Sequence, residues 1–176
     1  MFKIAQKNAV EKFTNLEFIK NIEDEDPTMV KHLNILKQIN EYGYLTTNSQ
    51  AGTKTENYEE RSFIIGFMPR KDAQIFVHTI NMNTDKIALS VVVSDTYADP
   101  KLDIPLTMEH KKGIWKSVTH MSTFVPVKYL IREKQKIGLK QDLDILYIFC
   151  WDPKWNRNAS SKTGLFSDVL KILKTI

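Results

Sequence analysis

The period of the apolar positions changes along the chain. Up to residue 43 they recur every three or four residues, the spacing of one helix face; beyond it they mostly alternate or run together, as in strands. Residues 3–13 carry a weak helical pattern. Thr14-Asn15-Leu16-Glu17 has the form of a capping box, with Phe13 and Phe18 placed as a hydrophobic staple, and predicts a short helix over 15–22. The acidic run Glu23–Asp26 ends it. Asp26-Pro27 then reads as N-cap and first residue of a second helix. Its inner face is Val30, Leu33, Leu36 and Ile39, and Gly43 is its stop.

Tyr44–Thr47 predicts a short strand, Asn48–Glu59 a polar loop, and Arg61–Met68 a strand apolar on both faces. Gly66 inside that strand predicts a bulge or the close approach of another backbone or ligand. A helix follows over 70–82, with Ala73, Phe76, Val77 and Ile80 inward, then a buried strand over 86–94. Residues 95–113, with two prolines and many charges, read as an irregular loop, a lid or an insertion. Strands over 114–124 and 143–151 enclose a short helix over 127–137. A polar loop then leads to a last helix with Phe166, Val169, Leu170 and Leu173 on one face.

This order predicts an α/β or α+β layered domain, with a mixed sheet of about five strands and N-terminal helices packed on it. The short spacing between the first two strands predicts that they pair antiparallel. A length of 176 residues fits one domain, with a helical part over 1–42 and a mixed part over 43–176. Apolar residues make up 42%, enough for a core.

Charge adds one contrast. Residues 1–60 hold 7 basic and 10 acidic residues, and residues 61–176 hold 18 and 11, so the halves carry −3 and +7. A basic half suits nucleic acid, yet 21 of the 25 basic residues are dispersed lysines, which equally describes a solvated surface. No run approaches a membrane span and no signal peptide is evident, so the expectation is a cytoplasmic protein, in a host cytoplasm or virion if viral, with no membrane partner. The single cysteine, Cys150, excludes an internal disulfide.

Candidate chemistry gathers between residues 46 and 61. Thr47, Ser49 and Gln50 stand at a strand end, where ligand sites commonly lie, and Glu60 and Arg61 open the neighbouring strand. A guanidinium there suits a carboxylate or phosphate. The same residues also suit plain turn bonding and surface ion pairs. Trp151, Trp155 and Arg157 offer an aromatic-basic lip for bases or sugars, or ordinary packing.

The run GYLTTNSQAG at 43–52, followed by ERSFIIGF at 60–67, resembles a small family of domains of unknown function found in actinobacteria and in large DNA viruses. The matching residues include Gly43, Tyr44, Thr46–Gln50, Gly52, Glu60, Arg61, Gly66 and Phe67. Ala51 stands where that family has proline, which loosens the turn. The resemblance covers about 40 of the 176 residues and implies a shared site without naming an activity.

Known catalytic patterns fail. His120-Met121-Ser122 matches half of a two-histidine phosphoesterase motif, but His78-Thr79-Ile80 misplaces the second hydroxyl. Lys162-Thr163-Gly164 has no S-x-x-K partner, and neither a phosphate-binding glycine loop nor metal-ligand spacing is present, so no cofactor and no metal are expected. His32 and His78 read as surface or packing residues, and Cys150 as a small buried hydrophobe.

Three functions therefore stand. The first is a noncatalytic module with a site at 46–61, binding a small anionic ligand or a protein partner. The second is a small hydrolase or transferase for a phosphorylated or nucleotide-like substrate, using Ser49, Glu60 and Arg61 with His120 or Asp152 brought near. The third is nucleic-acid binding through the basic C-terminal part.

Overall fold

A computed structural model describes residues 1–83, 86–94 and 102–176, with the backbone alone for 83, 93 and 94. The chain opens with helix α1 (Phe2–Glu11), a 3-10 turn (Lys12–Thr14) and helix α2 (Leu16–Glu25). The cap of α2 is Asn15, whose side chain accepts from the Phe18 amide at 3.0 Å; the Thr14 hydroxyl instead donates to the Glu11 carbonyl. The expected capping box is thus displaced by one residue, because the preceding 3-10 turn engages Thr14. Phe13 and Phe18 nevertheless meet edge to face, 5.6 Å apart. Asp26 caps the next segment as expected, accepting from the Thr28 amide, but Pro27–His32 is 3-10 and only Leu33–Glu41, α3, is α-helical. Gly43 follows at φ +89°, a conformation that favours glycine.

Strand β1 spans Leu45–Gln50, β2 Tyr58–Glu60 and β3 Phe63–Pro69, followed by helix α4 (Arg70–Asn83). Then come β4 (Ala88–Val91), β5 (Val93–Ser94), β6 (Asp103–Lys111), β7 (Ile114–Ser122), β8 (Phe124–Val125), helix α5 (Val127–Lys136), β9 (Ile145–Trp151) and helix α6 (Leu165–Leu173). Three sequence expectations change. The polar run Asn48–Gln50 continues β1 instead of opening a loop. Arg61 precedes β3 instead of beginning it. The irregular segment expected at 95–113 contains a nine-residue strand, β6, which pairs with β7 across a two-residue turn; its residues 95–101 lie outside the described residues. Cross-strand pairing sustains this strand despite its proline and its charges.

The central sheet has the order β1-β3-β9-β4 and is antiparallel throughout, where a mixed sheet was expected. β3 and β4 run parallel to each other, joined through α4, but β9 is inserted between them, so that every contacting pair is antiparallel. A second sheet, β2-β6-β7, is antiparallel, and the two-residue strands β5 and β8 pair parallel.

Side chains alternate between two cores. Ile64, Met68, Ile148 and Cys150 face α3, α4 and α6, with Leu36, Phe76 and Phe166 among the buried partners. Phe63, Ile65, Phe67, Tyr147 and Phe149 face the other way, against Ala5 and Ala9 of α1, Leu106 and Val125. Burial on both faces explains why β3 and β9 are apolar at nearly every position.

Candidate functional site

The residues of β1 are distributed by a bulge. Leu45 and Thr46 pair with Phe67 and Gly66, but Asn48 pairs with Ile65, so Thr47 is the extra residue. Gly66 permits this: a Cβ there would lie 2.1 Å from the Leu45 carbonyl oxygen. Thr46 stays on the helical side, its amide donating to Asn40 Oδ1 at 3.0 Å while Asn40 Nδ2 donates to the Thr46 hydroxyl at 3.0 Å. The Thr47 hydroxyl lies 2.8 Å from that of Tyr147, a residue of the opposite core. Ser49, paired with Ile64, returns to the helical side, and Gln50, paired with Phe63, turns away from it.

A cleft of about 290 Å³ opens between β1, the 27–32 turn and α2. Its floor is Met29, Leu33 and Leu36, its roof Phe18 and Ile22, and its polar rim Thr46–Ser49. The roof is thinly seated, for α2 has no fully buried residue. Lys12 closes one side. Its ammonium lies 5.2 Å from the Phe13 ring centre and 5.6 Å from that of Phe18. Burial pushes its pKa below the ordinary lysine value, and among the described residues no carboxylate offsets this. Glu25 and Asp26 also line the cleft; Asp26 is engaged by the Thr28 amide and hydroxyl.

Gln50, Glu60 and Arg61 are not part of this cleft. Gln50 Nε2 donates to the Arg61 carbonyl at 3.3 Å. The Arg61 guanidinium lies 4.4 Å from the Trp155 ring centre and donates through Nη1 to the Asp152 carbonyl at 3.2 Å. Arg61 Nε is buried without a partner among the described residues. Burial lowers its pKa and Asp152 raises it in part. The Asp152 carboxylate, itself fully buried, is held by Arg157 through Nε at 2.5 Å and Nη2 at 2.6 Å. Burial, then the charge of Asp26, raises the pKa of Glu60. The five candidates therefore divide: Thr47 and Ser49 border the cleft, Gln50 and Arg61 join a polar cluster where β3 begins and β9 ends, and Glu60 closes β2 opposite Thr107, outside the cleft. Of the aromatic-basic lip, Trp155 lies under Arg61, Trp151 stacks on Phe149 at 4.8 Å, and Arg157 serves Asp152.

Of the groups considered for catalysis, Asp152 comes close to Arg61, through its carbonyl, while the histidines and the thiol stand apart from both. His120 Nε2 meets the Ser117 hydroxyl at 2.9 Å on β7. His32 is 1% exposed, meets the Ser160 hydroxyl through Nδ1 at 2.5 Å and lies edge-on to Phe166. Cys150 is fully buried, and burial pushes its thiol up to about 12, partly offset by the Tyr44 hydroxyl; at neutral pH it is a thiol, not a thiolate. Among the described residues no three His, Cys, Asp or Glu side chains converge as metal ligands, and no helix is long and apolar enough to cross a membrane.

Sequence reading missed Lys12, which stands far from the polar run in sequence, and Asn40, which stands six residues before Thr46 but in a helix read for its apolar face. The staple pair Phe13–Phe18 was the one available signal, since it marks the wall on which Lys12 lies. Neither the models of known protein families nor the curated proteins contain a match to this chain.

Proposed function

We propose that this chain is a noncatalytic ligand-binding module, that the cleft beneath α2 is its site, and that its ligand is a compact monoanion with an apolar body. The observation that carries the reading is Lys12: a partly desolvated ammonium with no carboxylate partner, at the mouth of an apolar cleft rimmed by hydroxyl and amide groups. Apolar walls with a few convergent polar groups are the usual composition of small-molecule sites. An anionic headgroup on Lys12 would supply the missing counter-charge, and Met29, Leu33 and Leu36 would receive the body. Glu25 and Asp26 on the same rim disfavour a polyphosphate, which weighs against a nucleotide-like substrate. The residues of the family resemblance fit this placement, since Thr46–Ser49 and Gly66 shape the bulge.

The hydrolase or transferase reading has less support. Ser49 has neither His120 nor the Asp152 carboxylate as a described partner, and the latter is engaged by Arg157.

Thermal-shift titration with medium-chain and aromatic monocarboxylates, beside nucleotides and sugar phosphates, tests the proposal. A monocarboxylate should raise the melting temperature of the wild type and lose that effect in Lys12→Met, whose own melting temperature should stay close to wild type. An undiminished shift in Lys12→Met, or a shift from nucleotides alone, would overturn it. No shift from any compound would move the reading to a protein partner.

A further inference from the structure

The β6–β7 hairpin carries a surface that the cleft does not explain. Its strands join through Lys112 and Gly113, both at positive φ (52° and 79°), as a two-residue hairpin turn requires. The third strand of this sheet, β2, reaches only to Glu109, and Asn57 adds one bond to the His110 amide. Beyond that point residues 111–116 project as a bare two-stranded ribbon. Ile114 at the tip is 58% exposed, Trp115 39% and Val118 46%. His110 stacks on one face of Trp115 with ring centres 4.9 Å apart, which fixes the indole.

The charge around these side chains is mostly basic. Residues 109–116 contain Lys111, Lys112 and Lys116 against one acid, Glu109. Glu109 is engaged by Lys111 at 2.9 Å and by the Tyr58 hydroxyl at 2.9 Å, and among the described residues Lys112 and Lys116 have no carboxylate partner. Turn tips are ordinarily polar, and exposed isoleucine beside tryptophan contributes nothing to the core. Ile114, opposite Lys111, and Trp115, opposite His110, stand on the two faces of the ribbon, so its end carries an exposed apolar side chain on each face among the ammonium groups.

We infer that the tip of the β6–β7 hairpin docks peripherally on an anionic lipid surface, with Ile114 and Trp115 entering the interface and Lys111, Lys112 and Lys116 meeting the headgroups. Tryptophan favours the headgroup level, and lysines near an anionic leaflet add electrostatic attraction. A single-stranded nucleic acid would use the same lysines and the open face of Trp115. It would gain nothing from Ile114, the most exposed apolar residue of the tip, and residues 103–122 contain no arginine. The expectation of no membrane partner rested on the lack of a spanning segment, which peripheral docking does not need.

The test is co-sedimentation of the full chain with phosphatidylcholine vesicles and with vesicles containing about three-tenths phosphatidylserine, at low and physiological salt. Three lysines against one acid leave a net of two positive charges, which give a preference for the anionic vesicles of roughly thirtyfold. Binding should blue-shift tryptophan emission, and Trp115→Phe should remove that shift. The double variant Ile114→Asp/Trp115→Ser should lose binding while keeping the wild-type melting temperature, since both side chains are exposed. Replacing Lys111, Lys112 and Lys116 by serine should abolish the preference for anionic lipid. Equal sedimentation of the tip variant and wild type, or no binding to anionic vesicles at low salt, would overturn the inference. So would binding of a single-stranded oligonucleotide with no response to vesicles, which would assign the tip to nucleic acid.

Discussion

Gly66→Ala gives the sharpest test of how the site is built, because two effects of opposite sign compete at that position. Gly66 is not at positive φ, so alanine can adopt its backbone angles. From the unfolded chain alone, the substitution should stabilise the protein by about 0.4–1 kcal/mol. In the fold, the new Cβ would lie 2.1 Å from the Leu45 carbonyl oxygen and 2.8 Å from the Thr46 Cα, where contacts under 3.0 Å are essentially never seen. Relief of the worst contact needs a displacement of 3.0 less 2.1, or about 0.9 Å. Both colliding atoms are backbone atoms of β1, so no side-chain rotation can supply it. Neighbouring strands lie about 4.8 Å apart, and a displacement of that size stretches the ladder bonds beside the bulge. Overpacking costs about 1–3 kcal/mol, and two weakened ladder bonds cost about 1 kcal/mol each. After subtraction of the unfolded-state gain, the net loss is about 3 kcal/mol, or roughly 6–12 °C in melting temperature for a chain of this size. Urea unfolding followed by circular dichroism and fluorescence measures it, with an unchanged m value as the sign that two-state behaviour is kept. A midpoint equal to or above wild type would refute the close approach of β1 to β3, and with it the bulge that directs Thr46–Ser49. Gly138→Ala is the control: it lies at φ +72° in open space, so it should show only the left-handed penalty of about 1–2 kcal/mol.

Other expectations follow from buried groups. Cys150 should resist a thiol reagent at pH 8 in the native protein and react at once in denaturant; rapid native labelling would contradict its burial and raised pKa. Burial lowers the His32 pKa, so its contribution to stability is present above the unfolded value of about 6.5 and is lost as pH falls through the lower folded value. His32→Phe should therefore flatten the acid limb of a melting-temperature profile, and an unchanged limb would exclude His32 as its source. Arg157→Met leaves the Asp152 carboxylate buried and unpaired and should cost about 3–5 kcal/mol, with much of that recovered when Asp152→Asn is added; strictly additive losses would count against the pair. If Lys12 holds an anion, affinity should fall as pH rises through its pKa, which lies below the ordinary lysine value of 10.5, and a flat profile would remove Lys12 from the site.

Local pattern specified most of the elements. The continuous burial along β3 and β9, the inner faces of α3, α4 and α6, and the cap at Asp26 all follow from short-range pattern, which the sequence records directly. The strand at Asp103–Lys111 was hidden because its stability comes from pairing with β7, not from its own composition. The antiparallel order was hidden too, because the last strand, β9, inserts between β3 and β4, and nothing local to those strands records that insertion.

The candidate site divides in the same way. The polar run Thr46–Gln50 and the lone Gly66 in an apolar strand were visible as unusual residues, and chain chemistry by itself determined that something irregular happens there. Only the tertiary structure decided which side each residue faces, since one extra residue at Thr47 reverses the alternation that follows. It also decided that Lys12, from the far end of the helical part, stands over Phe13 and Phe18 at the mouth of the cleft, while Arg61 settles on Trp155 away from it. The physical reason is range. Periodicity, capping and glycine constraints act within a few residues and are written in order along the chain, whereas a binding site is a coincidence of distant segments whose separation is fixed only when the core closes.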